Sequence, residues 1–166
     1  MSRPSAPQVQ SAIRTGASQM CRLHGWAVLH EFTLPDRRRA DIMALTADGS
    51  FICIEIKSGL PDFRADHKWQ DYLPWCDQMY FAVSQDFPPD VLPQDTGLIV
   101  AATGHGVDGM TTCVDCAIIR HPPRMPLAPA RRRRLTLQFA IEAAGRLGRI
   151  EMPQVEHAVK TALRVE

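Results

Sequence analysis

Two carboxylates and a lysine, closely spaced in apolar surroundings, are the residues here most suited to chemistry. Asp41 lies in the run Arg39-Ala-Asp-Ile-Met-Ala-Leu45, and Glu55 and Lys57 lie in Phe51-Ile-Cys-Ile-Glu-Ile-Lys57. Ala47-Asp48-Gly49-Ser50 between them is a turn signal, so the stretch reads as a β-hairpin. A two-residue loop at Asp48-Gly49 would pair Asp41 with Ile56 and turn it away from Glu55. A three-residue loop, a type I turn followed by Gly49 in the left-handed conformation, pairs Thr46 with Ser50 and Asp41 with Glu55. The second register is preferred, because Gly49 follows Asp48 where that turn needs positive φ. Arg39, Asp41, Glu55 and Lys57 then share one face.

Directly opposed strand residues hold their Cβ atoms about 4.5–5.5 Å apart, where like charges repel. Ile42, Ile52, Ile54 and Ile56 on one face, with Met43, Leu45, Phe51 and Cys53 on the other, indicate a sheet covered on both sides. Two carboxylates at the rim of such a sheet tend to hold a proton between them. A divalent cation removes the conflict, and hard oxygen donors with few protein contacts suit Mg²⁺ or Mn²⁺. Such an ion polarises a phosphoryl oxygen and acidifies a bound water, which is the chemistry of phosphodiester hydrolysis. Lys57 would orient that water or stabilise the developing charge. The plainer alternative is a solvated Glu55–Lys57 pair on an edge strand. Asp41 across the hairpin and the apolar neighbours on both faces favour the site.

Asp41 followed by Glu55-Ile56-Lys57 resembles the core motif of the PD-(D/E)XK nuclease superfamily, with Ala40 where Pro is frequent. Further stretches sharpen the likeness: Arg38-Arg39-Ala40-Asp41-Ile42, Glu55-Ile56-Lys57-Ser58, Asp62-Phe63-Arg64-Ala65-Asp66 and Lys68-Trp69-Gln70-Asp71-Tyr72. With Tyr80-Phe81-Ala82-Val83 and Leu127-Ala128-Pro129-Ala130-Arg131-Arg132, these resemble the MmcB-like DNA repair proteins of bacteria over about residues 9–147. The resemblance implies a restriction-endonuclease-like fold, a DNA repair role and the Ile56 carbonyl as a third metal ligand. It also implies that the helix bearing Lys68 and Gln70 packs beside the site, which makes both substrate-side candidates together with Ser58.

The surrounding elements must position these groups. Residues 1–8, with Pro4, Pro7 and two serines, read as a disordered lead-in. Val9, Ala12, Ile13, Ala17, Met20 and Leu23 predict an amphipathic helix over residues 9–24 that packs on the sheet and ends at Gly25. Residues 26–34 read as a first strand. If it pairs with the Asp41 strand, Glu31 becomes a third carboxylate near the metal; otherwise it faces solvent. Arg37-Arg38-Arg39 suggests phosphate contacts at Arg38 and above all at Arg39, which shares the face of Asp41. Asp62 reads as the cap of a helix running to about Trp75, which crosses over to a parallel strand at residues 78–83. Two more strands follow at residues 96–101 and 112–120, joined by a Gly-rich segment that lacks the features of a phosphate loop. A Pro-rich connector leads to a helix from about Ala130. Its Arg131 and Arg132 would bind DNA phosphates, or form a solvated face. A last helix is read after Pro153.

Cys113-Val-Asp-Cys116, near His105 and His121, raises a zinc site. It lacks a second ligand pair, and strand alternation would put the two thiols on opposite faces. Small apolar roles for both are favoured. Five scattered cysteines fit a reducing compartment. There is no apolar run of membrane-spanning length and no hydrophobic secretory signal, so no membrane partner and a cytoplasmic, nucleoid-associated location are expected. The net charge of +1 is low for a DNA-binding protein, so local basic clusters would have to supply the affinity.

The resulting expectation is an α/β protein with a restriction-endonuclease-like mixed sheet flanked by helices. It has a lead-in at residues 1–8, a nuclease-like core at 9–121, and a connector with C-terminal helices packed on the core at 122–166. The expected activity is Mg²⁺- or Mn²⁺-dependent cleavage of DNA during repair. Asp41, Glu55, Lys57 and Glu31 are the catalytic candidates, and Asp41, Glu55 and Ile56 the metal ligands. Arg38, Arg39, Ser58, Lys68, Gln70, Arg131 and Arg132 would contact the nucleic acid. The partners are DNA and, as further candidates, other DNA repair proteins. The alternative is a catalytically inactive module of the same fold that binds DNA or docks a repair partner.

Overall fold

The computed structural model describes residues 4–66, 68–105 and 111–153. It divides into two compact units at the Leu127–Ala128 junction. In the first unit, helix α1 (Ala6–Leu23) precedes strands β1 (Ala27–Thr33), β2 (Arg39–Leu45) and β3 (Phe51–Lys57). A short helix α2 (Leu60–Ala65) and a 3₁₀ segment (Trp69–Trp75) lead to β4 (Gln78–Ser84), β5 (Gly97–His105) and β6 (Thr111–Arg120). The strands lie in one sheet in chain order. β1, β2 and β3 pair antiparallel, β3–β4 and β4–β5 pair parallel, and β6 returns antiparallel. This is the mixed sheet flanked by helices that the hydrophobic pattern called for.

Alternation along the central strands divides the core. Ile42, Ala44, Ile52, Ile54, Ile56, Tyr80, Ala82, Ile99 and Ala101 pack with Ile13, Ala17, Met20 and Cys21 of α1. On the segment between β3 and β4, Phe63 and Trp69 set their rings edge-on to Phe81, with centroids 5.5 and 5.7 Å apart. The sheet is thus covered where β3 carries its charged residues, and burial on that scale governs their chemistry.

Three local expectations change. Helix α1 begins at Ala6, so residues 6–8 are helical rather than a lead-in. Gln8 Oε1 accepts the Ser5 N–H at 2.8 Å, one half of a Ser-x-x-Gln capping box, and Pro7 sits in the first turn, where its missing N–H costs nothing. The helix expected over residues 62–75 breaks at Asp66, whose backbone is extended. The two cysteines of β6 face the same way. The β5–β6 ladder steps from Ala102↔Asp115 to Thr103↔Cys113, and the extra residue reverses the alternation. A Cβ built on Gly16 of α1 would meet Cys113 Cβ at 3.0 Å and Cys116 Cβ at 3.3 Å. Both thiols pack against the α1 side of the core.

The first unit runs past residue 121 because Asp77 pins the chain beyond it. The Asp77 carbonyl accepts the Met125 N–H at 2.8 Å, and its buried carboxylate accepts the N–H groups of Leu127 and Phe51 at 2.9 and 2.7 Å. In the second unit, helix α3 (Pro129–Glu151) has no acidic residue in its first turn, which holds Arg131 and Arg132. The last helix read after Pro153 lies outside the described residues. No described helix is long and apolar enough to cross a membrane.

Candidate active site

The hairpin sets the site. The β2–β3 ladder pairs Ile42 with Ile54 and Leu45 with Phe51. The Thr46 N–H meets the Ser50 carbonyl at 3.0 Å, and the Gly49 N–H meets the Thr46 carbonyl at 3.0 Å. Gly49 has φ +78°, the left-handed turn that the three-residue loop requires. One step beyond the ladder, Asp41 and Glu55 are opposed, and side chains take over from the backbone. Glu55 Oε1 accepts the Asp41 N–H at 3.2 Å, and Asp41 Oδ2 accepts the Ile56 N–H at 2.8 Å. Each carboxylate is therefore held by the other's strand.

Lys57 completes the group. Its Nζ lies 2.5 Å from Asp66 Oδ2 and 3.8 Å from Glu55 Oε2. Asp66 also accepts the Lys68 N–H at 2.9 Å, and the turn so formed is what interrupts the helix. The sequence marks Asp66 only as the end of the stretch Asp62-Phe63-Arg64-Ala65-Asp66. Its lysine contact depends on how the α2 segment folds back over β3.

Burial sets the electrostatics. Glu55 and Lys57 are each 5% exposed. Burial, and then the Asp41 charge, pushes the Glu55 carboxyl up to about 8. Burial likewise raises Asp41, against the Ile56 N–H and Arg14. Burial alone would lower Lys57, but the carboxylates of Asp66, Glu55 and Asp62 outweigh it and keep the ammonium charged. Two carboxylates that resist ionising together, next to a fixed ammonium, form an environment that a divalent cation would relieve.

Glu31 enters the same neighbourhood. The β1–β2 ladder pairs His30 with Ile42 and Phe32 with Ala40, which sets Glu31 across from Asp41. Its backbone is left-handed at φ +52°, unusual for a strand residue. Glu31 Oε1 takes Arg14 Nη2 at 2.6 Å, and Arg39 Nε approaches Oε2 at 2.6 Å as an ion pair without hydrogen-bond alignment. Arg14 Nη2 also stands 4.0 Å from Asp41 Oδ1. Arg14 lies on the helix that the sequence marks only by its apolar spacing. Nothing in its local sequence distinguishes it.

The remaining candidates scatter around this centre. Arg38 pairs with Asp71 at 2.6 Å, and Arg39 is engaged with Glu31. The N–H and Oγ of Ser58 both bond Asp62 Oδ2, at 3.0 and 3.1 Å. Lys68 and Gln70 are exposed on the 3₁₀ segment side of β3. Arg131 and Arg132 belong to the second unit.

The donor set fits a hard divalent cation of low protein coordination. Among the described residues no three His, Cys, Asp or Glu side chains converge on one metal position. Asp41 and Glu55 with the Ile56 carbonyl would leave the remaining positions to water and substrate, as Mg²⁺ and Mn²⁺ prefer. Glu31 Oε2 is buried and is held by the Arg39 guanidinium as an ion pair, so it is not an open donor to a metal. Of the residues raised for zinc, Cys113 and Cys116 pack against the α1 side of the core. His121 is engaged through Nδ1 with the Tyr80 hydroxyl at 2.9 Å.

A family model described as "DNA repair protein MmcB-like" matches residues 2–154. Among solved structures, the chain is similar to a protein of unknown function from Silicibacter pomeroyi. The identity is 36% with a TM-score of 0.76, over 87% of this chain and 92% of that one. No curated protein matches the sequence.

Proposed function

This chain belongs to the MmcB-like DNA repair protein family, and we propose that its part in repair is metal-dependent hydrolysis of DNA phosphodiester bonds. The observation that carries the proposal is the opposed pair of half-buried Asp41 and buried Glu55, with Lys57 fixed beside it by Asp66. Ion pairs that serve only stability gain little from opposing two carboxylates in a desolvated place. A divalent ion bound there would polarise the phosphoryl oxygen and acidify a water. Asp41 and Glu55 would hold the ion, with the Ile56 carbonyl as third protein donor. Lys57, kept protonated by its acidic neighbours, donates hydrogen bonds to the attacking water or to the pentacovalent oxygens. Asp66 restrains the lysine, so that its Nζ stays at the site. Lys68, Gln70, Ser58, Arg38 and Arg39 would supply donors for flanking phosphates.

The test is incubation of labelled single-stranded, duplex, flap and branched DNA with Mg²⁺, Mn²⁺ or chelator, beside Lys57→Ala. Cleavage that needs metal and is lost in the variant is expected. DNA binding without cleavage by either protein across the panel would replace the nuclease by an inactive binding or docking module. That second reading draws on the net charge of +1 and on the ion pairs that engage Arg38 and Arg39.

A further inference from the structure

Arg14 has surroundings that the hydrolytic roles leave unexplained. It projects from α1 toward the rim of the sheet, with its side chain 30% exposed. Nη2 is bonded to Glu31 and stands 4.0 Å from Asp41 Oδ1, yet Nε is buried without a hydrogen-bond partner among the described residues. Glu31 Oε2, by contrast, has Arg39 Nε at 2.6 Å as an ion pair. A partly buried ionic network that leaves a guanidinium donor unused is poorly optimised, and a new partner for that donor would improve it.

We infer that Arg14 is a phosphate-binding residue of this site which, without DNA, rests on Glu31 and faces Asp41 where divalent charge would otherwise act. The inference builds on the metal-dependent reading above. Guanidinium presents two adjacent N–H directions that match a phosphodiester's non-bridging oxygens, and Nε–H is the donor now unused. While Arg14 faces Asp41 its charge repels a cation at the Asp41–Glu55 pair. A DNA phosphate draws Arg14 to itself, removes that repulsion and frees the Glu31 carboxylate. Metal and DNA therefore strengthen each other's binding, by the same factor in either order. Arg39, on the other oxygen of Glu31, holds that carboxylate in place during the exchange.

The experiment measures Mn²⁺ affinity by calorimetry without DNA, and the salt dependence of duplex binding in chelator. It compares the wild type with Arg14→Gln, Arg14→Lys and Arg22→Gln, the last an exposed charge change on the same helix. Arg14→Gln should bind Mn²⁺ at least about threefold more tightly, with Arg14→Lys and Arg22→Gln within about twofold of wild type. Its log–log salt slope for duplex binding should be shallower by about 0.9, one phosphate contact fewer. Unchanged or weaker Mn²⁺ binding by Arg14→Gln, or an equal gain in Arg22→Gln, overturns the competition. An unchanged salt slope overturns the phosphate contact. Absence of Mn²⁺ binding in both wild type and Arg14→Gln removes the metal-dependent function itself, an outcome distinct from equal binding by the two.

Discussion

Replacing Glu55 by Gln should make the metal-free protein more stable in mildly alkaline solution, and by little in acid. Glu55 is 5% exposed, and burial followed by the Asp41 charge raises its carboxyl from an ordinary 4.5 to about 8. The folded chain then holds the proton more tightly than the unfolded chain does. The stability this contributes is present below about pH 4.5 and is lost as pH rises through about 8. At about 1.36 kcal/mol per pKa unit the full shift corresponds to at most about 5 kcal/mol. Proton sharing with Asp41 and relaxation at the strand end bring the expected effect nearer to about 2 kcal/mol. Glutamine removes the charge but keeps an oxygen for the Asp41 N–H, now bonded at 3.2 Å. In chelator at about pH 8, Glu55→Gln should melt roughly 6 °C above wild type. At about pH 5 the two should nearly coincide. Thermal unfolding followed by circular dichroism across this pH range reads the difference directly. Mn²⁺ at about pH 8 should raise the wild-type Tm and leave the variant where it was. A difference between the two proteins that stays constant with pH would refute the reasoning, because it would mean that Glu55 ionisation carries no cost.

Other expectations follow from single contacts. Asp66→Asn removes the charge that restrains Lys57 Nζ at 2.5 Å; metal-dependent cleavage should fall roughly tenfold or more while Mn²⁺ affinity holds, which single-turnover kinetics beside calorimetry would show. Gly97 pairs with Tyr80 across β4–β5, and a Cβ there would lie 2.2 Å from Tyr80 Cδ1. Gly97→Ala should therefore cost about 1–3 kcal/mol in urea unfolding, and a neutral result would mean that the ring has room to move. Asp77→Ala strips the acceptor from the buried Phe51 and Leu127 N–H groups. A loss of about 2–4 kcal/mol is expected, with amide exchange at Leu127 accelerated more than at the α1 core.

The reading from sequence was strongest where the information is local. The turn at Asp48-Gly49, the period-two alternation of β2 and β3 and the apolar neighbours were enough to bring Asp41 opposite Glu55 with Lys57 on the same face, because hairpin register depends only on loop length and turn conformation. The amphipathic spacing of α1 likewise named Ala12, Ile13, Ala17 and Met20, which are buried, and Val9, which is partly so, but Leu23 at the helix end is exposed. Errors came where a local pattern admits two outcomes. The stretch after Asp62 is compatible with one helix until the Lys57 and Lys68 contacts of Asp66 interrupt it. The Cys113–Cys116 spacing implies opposite faces until a bulge inserts one residue.

Only the tertiary structure could bring Arg14 from the first helix to Glu31 and Asp41, place Asp66 against Lys57, or bury Glu55 enough to raise its carboxyl. The physical reason is range. Turn geometry and side-chain alternation act over a few bonds and are written in adjacent residues, whereas ion pairs and desolvation depend on which elements pack together. That packing is decided by the sum of many weak apolar contacts across the sheet, and no short stretch of this chain carries it.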